Sequence, residues 1–180
     1  MISIGPFSTI DALAVTLTLF AWAVIGWLIE HPPINRPSVT LLMKEYRREW
    51  MRQFLTRQPR IFDASMIDSL RQGTAFFASA SLIAIGGGIA LIGNPAAFIG
   101  LAKDLTLPAD ATGLQLRVLL VIMFLANAVL KFIWSNRLFG YCAVMMAAVP
   151  NDPAAPAALH RAEQAGELNI TAAKSFNRGL

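Results

Sequence analysis

Long uncharged runs alternate with short polar breaks along this chain, and the lengths of those runs match the thickness of a lipid bilayer. Ala12 to Ile29 carries no charge over 18 residues, and Glu30-His31-Pro32-Pro33 ends the run. A run of that length can cross hydrocarbon as a helix, and two successive prolines cannot continue one. From Gln72 to Ala102 no residue is charged, with a helix end predicted at Asn94-Pro95. The third run is interrupted: Val118 to Leu130 is uncharged, then comes Lys131-Phe-Ile-Trp-Ser-Asn-Arg137, then Leu138 to Val149 is uncharged again. As one helix from Thr112 it would be about 55 Å long, against a hydrocarbon core of about 30 Å. About half of it must project, which puts Lys131, Trp134 and Arg137 around the far interface, where such side chains prefer to lie. The spans are therefore expected at about 10–30, 73–93 and 113–134.

The remaining segments have a different periodicity. Over residues 38–57, Val39, Leu42, Met43, Tyr46, Trp50 and Phe54 recur at helical spacing while Lys44, Arg47, Arg48 and Arg52 fall largely elsewhere, with Ser38 placed to cap the helix. Two readings are open for this amphipathic helix: it lies on anionic headgroups, or it packs on other helices of the same protein. Asp63 is expected to cap the helix that follows Gln58-Pro59-Arg60. After Val149, three prolines in seven residues (150–156) predict a linker, followed by short helices at Ala157–Gly166 and Ile170–Asn177. The expected fold class is an all-α polytopic integral membrane bundle with three transmembrane helices, a basic amphipathic interfacial helix and a long third helix extending into the cytoplasm. Residues 1–150 would form the membrane domain and 151–180 a C-terminal cytoplasmic linker with short helices.

Composition supports the membrane class: of 180 residues 56% are hydrophobic and 14% charged, with a mean hydropathy of +0.54. The net charge of +4 does not point to nucleic acid, because the basic residues lie beside spans rather than on a soluble surface with stacking aromatics. Their distribution predicts orientation. Residues 30–72 contain Arg36, Lys44, Arg47, Arg48, Arg52, Arg57, Arg60 and Arg71, whereas the polar connection from Gly100 to Gly113 has Lys103 alone, beside Asp104, Pro108 and Asp110. By the positive-inside rule the N-terminus is outside and the basic loop inside, here in a bacterial inner membrane. Asp11 suits the start of its helix, and Arg117 lies just inside the third span, where it can snorkel.

Three groups of residues are candidates for recognition. Span two contains Ala80, Ala84 and Gly88 at i, i+4 and i+8, with Gly86 and Gly87 in the same run, a helix-packing face that admits another backbone closely. Asn127, Lys131 and Ser135 form a polar stripe on the third helix, expected to snorkel and bond between helices. Lys44, Arg47, Arg48 and Arg52 form the candidate basic surface toward lipid. No H-E-x-x-H, C-x-x-C or G-x-S-x-G occurs, Cys142 is the sole cysteine, and His31 and His160 are far apart. No catalytic or metal residue is assigned, and no cofactor is implied.

The first span with its Pro-rich turn, the segment Met43-Lys-Glu-Tyr-Arg-Arg-Glu-Trp-Met-Arg-Gln53, and Phe132-Ile-Trp-Ser-Asn-Arg-Leu-Phe-Gly-Tyr141 together resemble the domain-of-unknown-function 599 family of bacterial and plant membrane proteins. The resemblance implies a fold rather than a reaction. Members of that family usually continue into a fourth span after a segment similar to Ser175-Phe-Asn-Arg-Gly-Leu180, and whether this protein does so is left open. The expected function is a non-catalytic membrane subunit or scaffold whose partners are membrane lipids and other membrane proteins or further copies of itself, with no nucleic acid. A small transporter or channel component, lined by the polar stripe, is the alternative. A lipid-acting enzyme using Glu30, His31 or Asp63 is a second alternative.

The charge distribution makes a direct prediction of topology. A reporter fused after Pro59 should be cytoplasmic and a label at Lys103 should react from outside; the reverse pattern in intact cells would invert the orientation.

Overall fold

The computed structural model describes residues 9–31, 37–94, 96, 99–100 and 111–180. The turn at Pro32-Pro33, Arg36, Pro95 and the connection residues Lys103, Asp104, Pro108 and Asp110 lie outside them. The helices are α1 (Thr9–Glu30), α2 (Val39–Phe54), α3 (Ile61–Gly93), α4 (Ala111–Ala147) and α5 (Ala158–Asn177), and no strand occurs among the described residues. The expected all-α architecture is present, and α1, α3 and α4 are each long and apolar enough to cross a membrane. At 1.5 Å per residue α3 is about 50 Å long and α4 about 55 Å, so both outgrow a hydrocarbon core of about 30 Å.

The chain divides into two compact units. One holds α1 as far as Leu28, α3 from Ala80 and α4 as far as Asn127. Its side chains are largely exposed, as suits helices surrounded by lipid, and a few contacts hold it together. Trp22 meets Phe124 edge-on with ring centroids 5.8 Å apart. Gln115 Nε2 donates to the Ile92 carbonyl at 3.2 Å, and Arg117 Nη2 donates to Asp11 Oδ1 at 2.7 Å. The expected snorkelling arginine is thus neutralised within the unit by the carboxylate at the start of α1.

The other unit holds the last turn of α1, all of α2, α3 as far as Ser79, α4 from Ala128 and all of α5. Here the C-terminal half of α4 presents Phe132, Ser135, Phe139, Cys142 and Met146, and Val149 just past its end continues the row, all buried. Their 3-4-3-4-3 spacing is the stripe by which one helix packs along another. It meets α5, whose Ala158, Ala162, Ala165, Asn169 and Ala172 follow a 4-3-4-3 spacing and are all at most 1% exposed. Ser135 bonds to Ala172, Cys142 to Ala165 and Arg161 to Ala148, so α4 and α5 are antiparallel. On its other side α5 receives α2, also antiparallel, with Met51 against Gly166 and Thr40 against Asn177.

Two expectations change. Ala157–Gly166 and Ile170–Asn177 are not separate helices, because α5 runs unbroken from Ala158 to Asn177. Gly166 does not end a helix. It is buried in the middle of one, and a Cβ there would lie 3.3 Å from Met51 Cγ, so its small size serves the approach of α2. Asp63 does not cap α3, which begins at Ile61; it lies in the first turn, fully buried, while Ser38 caps α2 as expected by accepting from the Leu41 amide at 3.4 Å.

The apolar stripe foreseen on α2 is divided. Phe54 is buried and Trp50 half-buried, whereas Val39, Leu42, Met43 and Tyr46 remain exposed; Met51, which was not foreseen as part of the stripe, is buried as well. The packed face centres on Arg47 and Met51, about a quarter-turn from the centre of the apolar stripe.

Because the α2–α5 contact depends on the missing side chain of Gly166, Gly166→Leu should lower stability by about 1–3 kcal/mol through overpacking. Gly86→Leu is the control, since nothing lies within 4 Å of an added Cβ there. Unfolding transitions of the two variants in the same detergent check the difference.

Candidate functional site

Polar groups converge in the second unit because four helices and the last turn of α1 must satisfy them together. Glu30 closes α1, where a negative charge opposes the helix dipole. Cations from the last turn of α5 and its C-cap offset this: Arg178 Nε donates to Glu30 Oε1, Arg178 Nη2 donates to Oε2 at 2.9 Å, and Lys174 Nζ lies 3.3 Å from Oε2. The hydrogen bond to Glu30 raises the Arg178 pKa above its ordinary value. Ser38 Oγ donates to the Ile29 carbonyl at 3.1 Å. The end of α1, the start of α2 and the end of α5 are thereby tied together.

Two members of the expected polar stripe, Lys131 and Ser135, are engaged by α5. Lys131 Nζ donates to the Arg178 carbonyl at 2.9 Å, and buried Ser135 Oγ donates to the Ala172 carbonyl at 2.7 Å. Ser175 Oγ returns a bond to the Lys131 carbonyl at 3.0 Å. Asn127, on the same helix, is half-buried and belongs to the other unit. Below this seam Phe77, Phe132 and Phe176 form a triangle with ring centroids 5.4–5.7 Å apart.

The basic residues of α2 are mostly turned toward protein groups. Arg47 Nη1 donates to Asn169 Oδ1, and burial lowers its pKa from the ordinary value. Arg48 pairs with Glu167 and Glu45, each at 2.9 Å, and Arg52 with Glu49 at 3.6 Å. Lys44 is half-buried. The partners of Arg47 and Arg48 on α5 are more than a hundred positions away in the chain, so no local pattern could have revealed them. A groove of about 740 Å³ runs beside these pairs, with Arg48, Arg52, Glu163, Glu167 and His160 on its walls. Its walls carry three carboxylates, Glu45, Glu163 and Glu167, and two guanidiniums, Arg48 and Arg52. Among the described residues no group of three His, Cys, Asp or Glu side chains is placed to hold a metal ion.

The small-residue run of α3 also separates by environment. A Cβ on Gly88 would lie 3.0 Å from Ile122 Cδ1 and 3.4 Å from Val118 Cγ1, so this glycine admits α4 within the chain. Ala80 and Ala84 are exposed, and nothing lies within 4 Å of a Cβ added to Gly86 or Gly87.

Sequence reading missed the anchoring role of Asp63 and the small-residue seam of α5. Asp63 Oδ1 accepts from Trp50 Nε1 at 2.6 Å and from Arg57 Nη1, fastening the start of α3 to α2. The 4-3-4-3 spacing of Ala158, Ala162, Ala165, Asn169 and Ala172, small residues but for one, was a readable signal for the seam; nothing local signalled Asp63.

A family model described as a protein of unknown function, DUF599, matches residues 13–180. No curated protein and no solved structure matches the chain.

The buried carboxylate makes a stability prediction. Asp63→Ala leaves the Trp50 indole N–H without its acceptor and should cost about 1–3 kcal/mol. Asp63→Asn keeps an acceptor oxygen and should cost less, an order that thermal unfolding with Trp fluorescence as the readout would check.

Proposed function

We propose that this chain, which belongs to the DUF599 family of proteins of unknown function, is a non-catalytic integral membrane subunit or scaffold that packs against other membrane proteins or against further copies of itself. The observation that carries the proposal is the open face of α3. Ala80, Ala84 and Gly87 recur at i, i+4 and i+7 and are all exposed. In lipid, apolar side chains gain nothing by leaving one apolar environment for another. Helices there associate through close packing over small residues, where backbones can approach. Gly88 is occupied by α4 and takes no part in this face.

The polar stripe supports the same reading rather than a transport path, because Lys131 and Ser135 hold the carbonyls of α5. In our reading the membrane is a bacterial inner membrane, the N-terminus is outside and the basic stretch 30–72 is cytoplasmic, on the strength of eight basic residues there against one in the next connection.

The test separates the two glycine environments. Ala84→Leu with Gly87→Leu should abolish recovery of the native assembly from membranes while leaving the melting temperature of the isolated chain nearly unchanged. Gly88→Leu should lower that melting temperature by crowding Ile122. Full recovery of the assembly with the double variant would sink the scaffold reading.

A further inference from the structure

The first two turns of α2 expose Val39 (72%), Leu42 (48%), Met43 (42%) and Tyr46 (67%). Their i, i+3, i+4, i+7 spacing makes one continuous apolar stripe. Its location is set by the contacts at its edge: Ser38 Oγ donates to the carbonyl of Ile29 in the last turn of α1, and Asn177 Nδ2 donates to Thr40 Oγ1 at 3.1 Å. The end of α5 and its C-cap supply Lys174 and Arg178 to Glu30. With 22 residues, α1 is about 33 Å long, close to the thickness of the hydrocarbon core, so Glu30 marks a membrane boundary. The stripe therefore starts within one hydrogen bond of that boundary.

The chemistry of the surroundings selects the occupant. An electrostatic attachment to headgroups would draw on the cations of this helix, yet Arg47 is turned to Asn169, Arg48 to Glu45 and Glu167, and Arg52 to Glu49, while Lys44 is half-buried and lies on the side of the helix away from the stripe. What α2 offers at the boundary is apolar surface with a tyrosine whose hydroxyl can stay at the polar level while its ring is buried. We propose that Val39, Leu42, Met43 and Tyr46 form a lipid-docking surface that inserts into the headgroup–acyl boundary beside the end of α1, and that this attachment is apolar and needs no anionic lipid. The inference rests on α1 crossing the membrane and is independent of the scaffold role.

Nitroxide labels on the full chain in vesicles test it. Leu42→Cys and Tyr46→Cys report the stripe, Arg52→Cys the opposite side, and Leu17→Cys the interior of α1; the native Cys142 stays, since it is fully buried. Collision with oxygen relative to a water-soluble nickel chelate should be several-fold higher at 42 and 46 than at 52, and should be the same in pure phosphatidylcholine as with added phosphatidylglycerol. Ratios at 42 and 46 equal to that at 52 would overturn the proposal. So would oxygen access that arises only with phosphatidylglycerol, which would make the attachment electrostatic. Exclusion of both reagents with spin–spin broadening would instead place a second copy on the stripe and reject lipid. A low ratio at position 17 would remove the span assignment and the docking surface together. Loss of assembly in the α3 double variant leaves all of these ratios untouched, so the two readings fail separately.

Discussion

Helix α5 can lie against both α2 and α4 because its buried face is almost without side chains. Ala158, Ala162, Ala165 and Ala172 meet α4, and Gly166 admits Met51. Large residues on the neighbours, Phe132, Phe139 and Met146 on α4 and Met51 and Phe54 on α2, fill the space that the alanines leave. This pairing of large against small removes voids without forcing side chains off their rotamers. Everything else in the second unit follows from that close approach, since hydrogen bonds such as Ser135 to the Ala172 carbonyl require the backbones to be near.

Polar groups in this unit serve mainly to close helix ends. Glu30 would destabilise the end of α1 on its own, and two cations from the last turn of α5 and its cap hold it. Asp63 joins the start of α3 to Trp50 and Arg57 in the same manner. A chain whose spans are largely apolar gains little specificity from hydrophobic matching within lipid, so these few charge-assisted bonds set which helix end meets which.

The α3 glycines show how one local pattern can serve two purposes. Ala80, Ala84 and Gly88 share a spacing, and by spacing alone they form a single face. Gly88 faces α4 within the chain, while Ala80 and Ala84 stay open. Distinguishing the two requires knowing which side of α3 α4 occupies, and that is set by side chains such as Val118 and Ile122 about thirty positions further on.

The sequence by itself determined the fold class, the three membrane-length helices, the family and the Ser38 cap, because hydrophobic run length, proline breaks and capping chemistry act over a few neighbouring residues. It foresaw an amphipathic α2 but not its rotation, since periodicity marks apolar positions without saying which of them a distant helix will cover. Only the tertiary structure turned Arg47 inward to Asn169, buried Asp63 and joined the C-terminal segment into one helix across Gly166. Each of these depends on a partner far away in the chain. A local pattern states what a residue prefers to be near, and packing decides what is there.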